Sequence, residues 1–200
     1  GGELALAQEE VFLDGNAIEV RLYAEDPANK FLPCTGLVNF FQTPMRDGVR
    51  VDAGIEAGQE ISPFYDPMIA KIITYGETRE VARKLMVDVL RETALFGVRT
   101  NRDFLIACLE NDRFADGVFS TAFIAEEFGA AGFSEPHPTP HDLAVLGVRH
   151  YFLDRGAAME KSLNVPDALL GFTSNEELYT SYLLACGEGT YRVIVRGQKD

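Results

Sequence analysis

Between Asp14 and Pro27 the chain alternates apolar and polar residues with a period of two. That pattern predicts a strand over about 17–25, with Ile18, Val20, Leu22 and Ala24 on one face and Glu19, Arg21 and Tyr23 on the other. Asp14-Gly15-Asn16 supplies a turn before it, and Asp26-Pro27 stops it. Leu37 to Gln42 predicts a second strand and Val49 to Asp52 a third. Met68 to Tyr75 is a nearly continuous apolar run, whose length and β-branched content predict a strand buried on both faces. The period then changes. Thr78 is a good N-cap, and Val81, Ala82, Leu85, Met86, Val89 and Leu90 recur at helical spacing opposite Glu80, Arg83, Lys84, Asp88 and Arg91. An amphipathic helix over about 79–93 follows. Gly97 ends that unit; Asn101 is predicted to cap a helix through about Glu110, and Ser120 another through about Phe128. Strands followed by helices that cover them predict an α+β domain.

Gly129 to Pro140 is rich in Gly, Pro and Ala and contains Pro136-His137-Pro138-Thr139-Pro140, which marks a linker. Thr139, with Pro140 at the first helical position, is predicted to open a helix running to about Leu163. Leu178–Ala185 and Thr190–Arg196 then flank Cys186-Gly-Glu-Gly189, the pattern of a hairpin. The expected division is a domain over 1–130, a linker over 131–140, and a helix plus the start of a β-rich domain over 141–200.

Composition narrows the function classes. Hydrophobic content of 46% and charged content of 24% are ordinary for a soluble globular protein. A net charge of −13 argues against nucleic-acid binding and against a polybasic membrane contact. Cys34, Cys108 and Cys186 are odd in number and far apart, which favours a reducing compartment over a disulfide framework. No apolar run approaches the roughly 18 residues of a membrane span. The opening Gly1-Gly2-Glu3-Leu4 has no initiator Met and no leader pattern, so the chain is expected to be a piece of something longer.

Candidate chemistry is sparse. Arg21 beside Glu19 on the free face of a strand is either an anion or carbonyl site or a solvated charge pair. Asp66 precedes Pro67, which holds it extended at the mouth of a buried strand, where it could fix Arg21 or Arg50. Lys71 interrupts an apolar run and must snorkel, serve a ligand or, by default, pair with an acid. Gly54 and Gly58 are loop glycines rather than a phosphate loop. His137 and His141 straddle two prolines, so no metal site is expected there.

Glu19-Val-Arg-Leu-Tyr-Ala-Glu-Asp-Pro27, Phe31-Leu-Pro33, Thr35-Gly36, Gly48-Val-Arg-Val-Asp52, Gly58, Tyr65-Asp-Pro-Met-Ile-Ala-Lys71, Tyr75-Gly76 and Gly97-Val-Arg-Thr-Asn101 occur in that order. The series resembles the C-terminal subdomain of biotin carboxylase, as found in biotin-dependent acyl-CoA carboxylase alpha subunits of the methylcrotonyl-, propionyl- or geranyl-CoA type. It covers about 10–129. The resemblance implies an antiparallel sheet covered by helices. It also implies a ligase that carboxylates protein-bound biotin with bicarbonate and MgATP. By match to the family motif, Arg21 takes the place of the catalytic, substrate-binding arginine beside the ureido oxygen, where a fixed cation would meet developing negative charge. Arg50 matches an arginine at the dimer contact, Asp66 falls in a loop facing the biotin, and Thr121 falls on the adenine pocket wall. Asn16 stands where the family usually has His.

The ATP-grasp half of the family, with its lid and metal ligands, precedes this segment, and the Ala-Met-Lys-Met biotinylation motif is not in these 200 residues. The chain alone is therefore expected to be inactive, with no metal ligands of its own. The implied partners are a biotin carboxyl carrier domain, a carboxyltransferase beta subunit and a second biotin carboxylase in a homodimer, in a bacterial cytoplasm or the mitochondrial matrix. Residues 140–200 resemble the region that joins biotin carboxylase to the carboxyltransferase. The alternative is a dimerisation or subunit-contact segment without chemistry, or the matching part of pyruvate or urea carboxylase.

Overall fold

In chain order, the first part of the fold runs β1 (Asn16–Tyr23), β2 (Glu25–Asp26), β3 (Leu32–Pro33), β4 (Gly36–Leu37), β5 (Phe40–Gln42), β6 (Val49–Ala53), β7 (Glu60–Ile61) and β8 (Met68–Gly76). Then follow α1 (Arg79–Glu92), β9 (Ala94–Phe96), α2 (Arg102–Glu110), α3 (Asp112–Ala115) and α4 (Phe123–Phe128). The computed structural model describes residue 2 and residues 5–129, 132–134, 137–161, 178–186 and 189–197. The chain divides into two compact units, residues 1–135 and 136–200.

The centre of the first unit is a three-stranded antiparallel sheet in the order β1-β8-β6. Its register places Val20 opposite Ile72 and Ile72 opposite Val51, so one face is a continuous apolar surface. Ile18, Val20, Leu22 and Ala24 are buried, as the alternation requires. α1 covers this face with Ala82, Met86, Val89 and Leu90. Thr78 caps it by accepting the Val81 amide at 3.3 Å, and Thr74 of β8 donates its buried hydroxyl to the Ala82 carbonyl at 2.8 Å. Sheet and helix are thus joined by packing and by a desolvated hydrogen bond.

Four expectations change. β8 is not buried on both faces along its length, because Lys71 and Ile73 are half-exposed and Tyr75 is exposed, while Ile69, Ala70, Ile72 and Thr74 are buried. The segment 37–42 is two strands. Val38, fully buried, turns inward between them, so β4 pairs with β7 while β5 pairs with β9. The buried stripe of α1 is rotated: Val87 is buried and Val81 is exposed, because α2 packs beside the sheet against α1. Asn101 forms no side-chain cap on α2. Gly97, at φ +117°, lets the chain after β9 pass close to Leu37.

The second unit holds α5 (Pro140–Lys161) and the hairpin of β10 (Leu178–Cys186) and β11 (Gly189–Gly197). Thr139 opens α5, its Oγ1 accepting the Asp142 amide at 3.2 Å while Asp142 accepts the Thr139 amide at 2.9 Å. Gly147 is the buried residue of α5, and a Cβ there would collide with Val193 of β11. The turn at residues 187–188 and the helix end expected near Leu163 lie outside the described residues.

Candidate functional site

The outer face of the three-stranded sheet collects charge. The register aligns Arg21 of β1 with Lys71 of β8 and Asp52 of β6, and one row along it aligns Glu19, Ile73 and Arg50. Period-two geometry does this automatically: the partners of the buried apolar row must face the other way. Arg21 Nε lies 3.7 Å from Glu19 Oε1, and Lys71 Nζ lies 4.0 Å from Glu19 Oε2. Both distances exceed the roughly 2.7–2.9 Å of a charge-assisted hydrogen bond. Among the described residues the Arg21 guanidinium makes no hydrogen bond, and its side chain is 59% exposed. It is therefore a cation held near an acid but not consumed by it. Lys71 meets Glu19, the pairing expected by default.

Arg50 points outward from β6 and hydrogen-bonds Asp52 through Nε at 3.0 Å. That bond, reinforced by the Asp52 charge, holds its pKa above the ordinary arginine value. Its side chain is 72% exposed.

Asp66 does not do what its position suggested. Oδ1 accepts the Met68 amide at 3.0 Å, closing the turn that enters β8, and among the described residues it pairs with neither Arg21 nor Arg50. Each arginine has a closer acid on its own strand, and a local backbone donor satisfies the aspartate. The loop still lies beside the end of β1, since the Ala24 amide donates to the Pro67 carbonyl at 2.9 Å. Burial, and then the Asp66 charge, raise the pKa of Glu25 above the usual carboxylate value.

Thr121 is exposed in the turn before α4, in the helical part of the unit rather than on the sheet face. Asn16 opens β1, exposed and opposite Gly76. Among the described residues no group of three or more His, Cys, Asp and Glu is placed to hold a metal ion.

Asn101, expected as a helix cap, belongs to the sheet side of the site instead. Asn101 is 6% exposed and reaches β1 instead of capping α2. Its Oδ1 accepts the Tyr23 amide at 2.9 Å, and its Nδ2 donates to the Arg21 carbonyl at 3.2 Å. The available signal, an Asn before a helical run, is the same for a cap and for a tertiary clamp.

Comparison with known proteins agrees with this architecture. The family described as biotin carboxylase C-terminal domain matches residues 19–126. Biotin carboxylase 1 of Bacillus subtilis (strain 168) is 43% identical over 124 residues, which are 62% of this chain and 28% of that protein. The mitochondrial propionyl-CoA carboxylase alpha chain of Homo sapiens is 42% identical over 130 residues, 64% of this chain and 18% of that one. Among solved structures, the biotin carboxylase domain dimer of Hydrogenobacter thermophilus 2-oxoglutarate carboxylase, in complex with MgADP, ADP and bicarbonate, superposes with a TM-score of 0.64 at 34% identity, covering 68% of this chain and 30% of that one. The biotin carboxylase subunit of pyruvate carboxylase gives a TM-score of 0.62 at 36% identity, covering 63% of this chain and 28% of that chain. The chain thus spans between 18% and 28% of the length of these two curated relatives.

Proposed function

Because this chain belongs to the biotin carboxylase C-terminal domain family, we propose that residues 10–129 complete the active site of a biotin-dependent carboxylase, with Arg21 as the group that stabilises developing negative charge. The overall reaction moves a carboxyl group from bicarbonate to biotin as ATP becomes ADP and phosphate. Bound biotin would supply the ureido nitrogen that accepts the carboxyl group and the ureido oxygen that takes up negative charge.

The observation that carries this reading is the state of Arg21. Its backbone belongs to a strand anchored by buried Val20 and Leu22, while its guanidinium stands in solvent without a close hydrogen bond. A fixed fork of donors that costs little to redirect fits an oxygen on which charge grows. Glu19 is shared between Arg21 and Lys71 at 3.7 and 4.0 Å, so the one acid does not neutralise Arg21 as a tight partner would. Asp66 is proposed to line the biotin side from its loop, and Thr121 the adenine wall. ATP and Mg2+ are proposed to be held mainly by other parts of the enzyme, of which this chain spans the equivalent of 28% in the Bacillus subtilis relative and 18% in the human one.

The test uses the full-length enzyme that contains this chain. Arg21→Ala is expected to lower turnover with free biotin, bicarbonate and MgATP by about 10²–10³, the usual loss when one such donor is removed, with assembly intact. Unchanged turnover would reject the assignment. The 200-residue chain by itself is expected to show no carboxylation and no tight MgATP binding by calorimetry.

The same reading proposes a carboxyl carrier domain and a carboxyltransferase subunit as partners, the latter met by residues 141–200. It also proposes a homodimer, which the domain dimer of the Hydrogenobacter thermophilus relative supports, with Arg50 proposed to lie at its contact. The relatives include a bacterial and a mitochondrial protein, and no described helix is long and apolar enough to cross a membrane. A bacterial cytoplasm or the mitochondrial matrix is the proposed location.

A further inference from the structure

β1 is an edge of its sheet, with β8 on one side only. The β1–β8 register is regular up to Leu22 and slips at Tyr23, immediately after Arg21 and Leu22. An open edge beside a ladder irregularity is a poor place to hold a side chain steady. Asn101 fills that gap. Its carboxamide behaves like a short piece of a neighbouring strand, donating to the Arg21 carbonyl at 3.2 Å and accepting from the Tyr23 amide at 2.9 Å. Its own backbone amide donates to the Tyr23 carbonyl at 3.1 Å, and its carbonyl accepts from Leu105 at 3.0 Å, inside the start of α2. The opposite orientation of the amide would set its oxygen against the Arg21 carbonyl oxygen, so the donor pattern fixes it.

Asn101 differs in this from the other two buried polar side chains of the described residues. Thr74 joins β8 to α1, and Thr93 bonds back to Val89 one helical turn away. Only Asn101 reaches β1, and it does so at the residue whose side chain leaves the sheet.

We infer that Asn101 is a positioning residue for Arg21: its buried carboxamide substitutes for a missing strand and fixes the backbone from which the guanidinium projects. This rests on the reading of Arg21 as the charge-stabilising group. Displacement of a catalytic group by about 1 Å can cost roughly 10²-fold in rate, so the clamp's effect is expected in turnover and not in nucleotide affinity.

The experiment compares Asn101→Ala, Asn101→Asp, Arg21→Ala and the double variant Asn101→Ala/Arg21→Ala in the full-length enzyme. Asn101→Asp keeps an acceptor for Tyr23 and removes the donor to Arg21, so it tests the clamp even if the alanine variant folds poorly. Two activities are measured: carboxylation of free biotin, and cleavage of ATP with bicarbonate but without biotin. Each Asn101 variant is expected to lose about ten- to a hundredfold in biotin-dependent kcat. KM for ATP and biotin-independent cleavage should stay near wild type. Asn101→Ala should add little to Arg21→Ala. Equal loss of both activities, full retention of carboxylation, or losses that multiply in the double variant would overturn the inference while leaving Arg21 in its role. An Arg21→Ala enzyme with normal turnover would overturn both.

Discussion

Thr74 illustrates how one side chain ties sheet to helix. It is fully buried, and its hydroxyl spans from β8 to the Ala82 carbonyl. Thr74→Val removes the donor but keeps the shape, so it should destabilise the first unit by about 0.5–1.5 kcal/mol, measured by denaturant unfolding. Glu80 is another residue-scale case. Hydrogen bonds from Arg83, and then from Lys84, lower its pKa from 4.5 to about 2. A depressed carboxylate stabilises the fold above its unfolded pKa, and that stabilisation is lost as the pH falls toward 2. Carboxyl NMR should show Glu80 titrating near the bottom of the acid range. Glu80→Gln should remove that part of the acid dependence; a Glu80 midpoint near 4.5 would contradict the pairing. Burial pushes the Cys108 thiol up to about 12, whereas Cys186 is exposed. Iodoacetamide at pH 8 should therefore label Cys186 well before Cys108, and labelling in the reverse order would count against the packing described. At this scale the outward placement of Arg21 and Glu19 was legible from alternation alone, whereas that of Lys71 was not, because its strand reads as buried on both faces. The partner of Asp66 was not, because a two-residue turn bond and a cross-strand ion pair leave the same trace in sequence.

Elements follow where the periodic signal is long. β1, β8, α1 and α5 lie close to the patterns that predict them, and Thr78 and Thr139 cap their helices. Short elements escape. β9 and α3 span three and four residues, too few for a period to register. The 37–42 segment reads as one strand because nothing local marks the change of partner at Val38. Gly97 is the local signal that does matter there. A Cβ at that position would strike the Leu37 carbonyl oxygen, and the φ of +117° is one that side chains resist. Gly97→Ala is expected to cost at least about 1–3 kcal/mol, the range for strained backbone. A variant with unchanged thermal stability would mean that the β4–β5 segment can move aside.

For the whole molecule, the two units carry different expectations. The first brings Arg21, Lys71 and Arg50 to one face of one sheet. If Arg50 lies in a dimer contact, Arg50→Glu in the full-length enzyme should weaken self-association in sedimentation before it lowers turnover per assembled enzyme. A variant that stays dimeric at all concentrations would remove that contact from the proposal. Legible in the residues alone were the two faces of β1, the capping of α1 and α5 by Thr78 and Thr139, and the family to which the chain belongs. The faces and caps are written in spacing and side-chain type over a few consecutive residues, and the family in the order of short motifs from Glu19 to Asn101. Tertiary structure decided which strands meet, that Asp66 serves its own turn, and that Asn101 reaches across 80 positions to the carbonyl of Arg21. The reason is physical: a buried polar group bonds whatever partner packing brings within about 3 Å, and distance in space between remote residues is not a property of any local pattern.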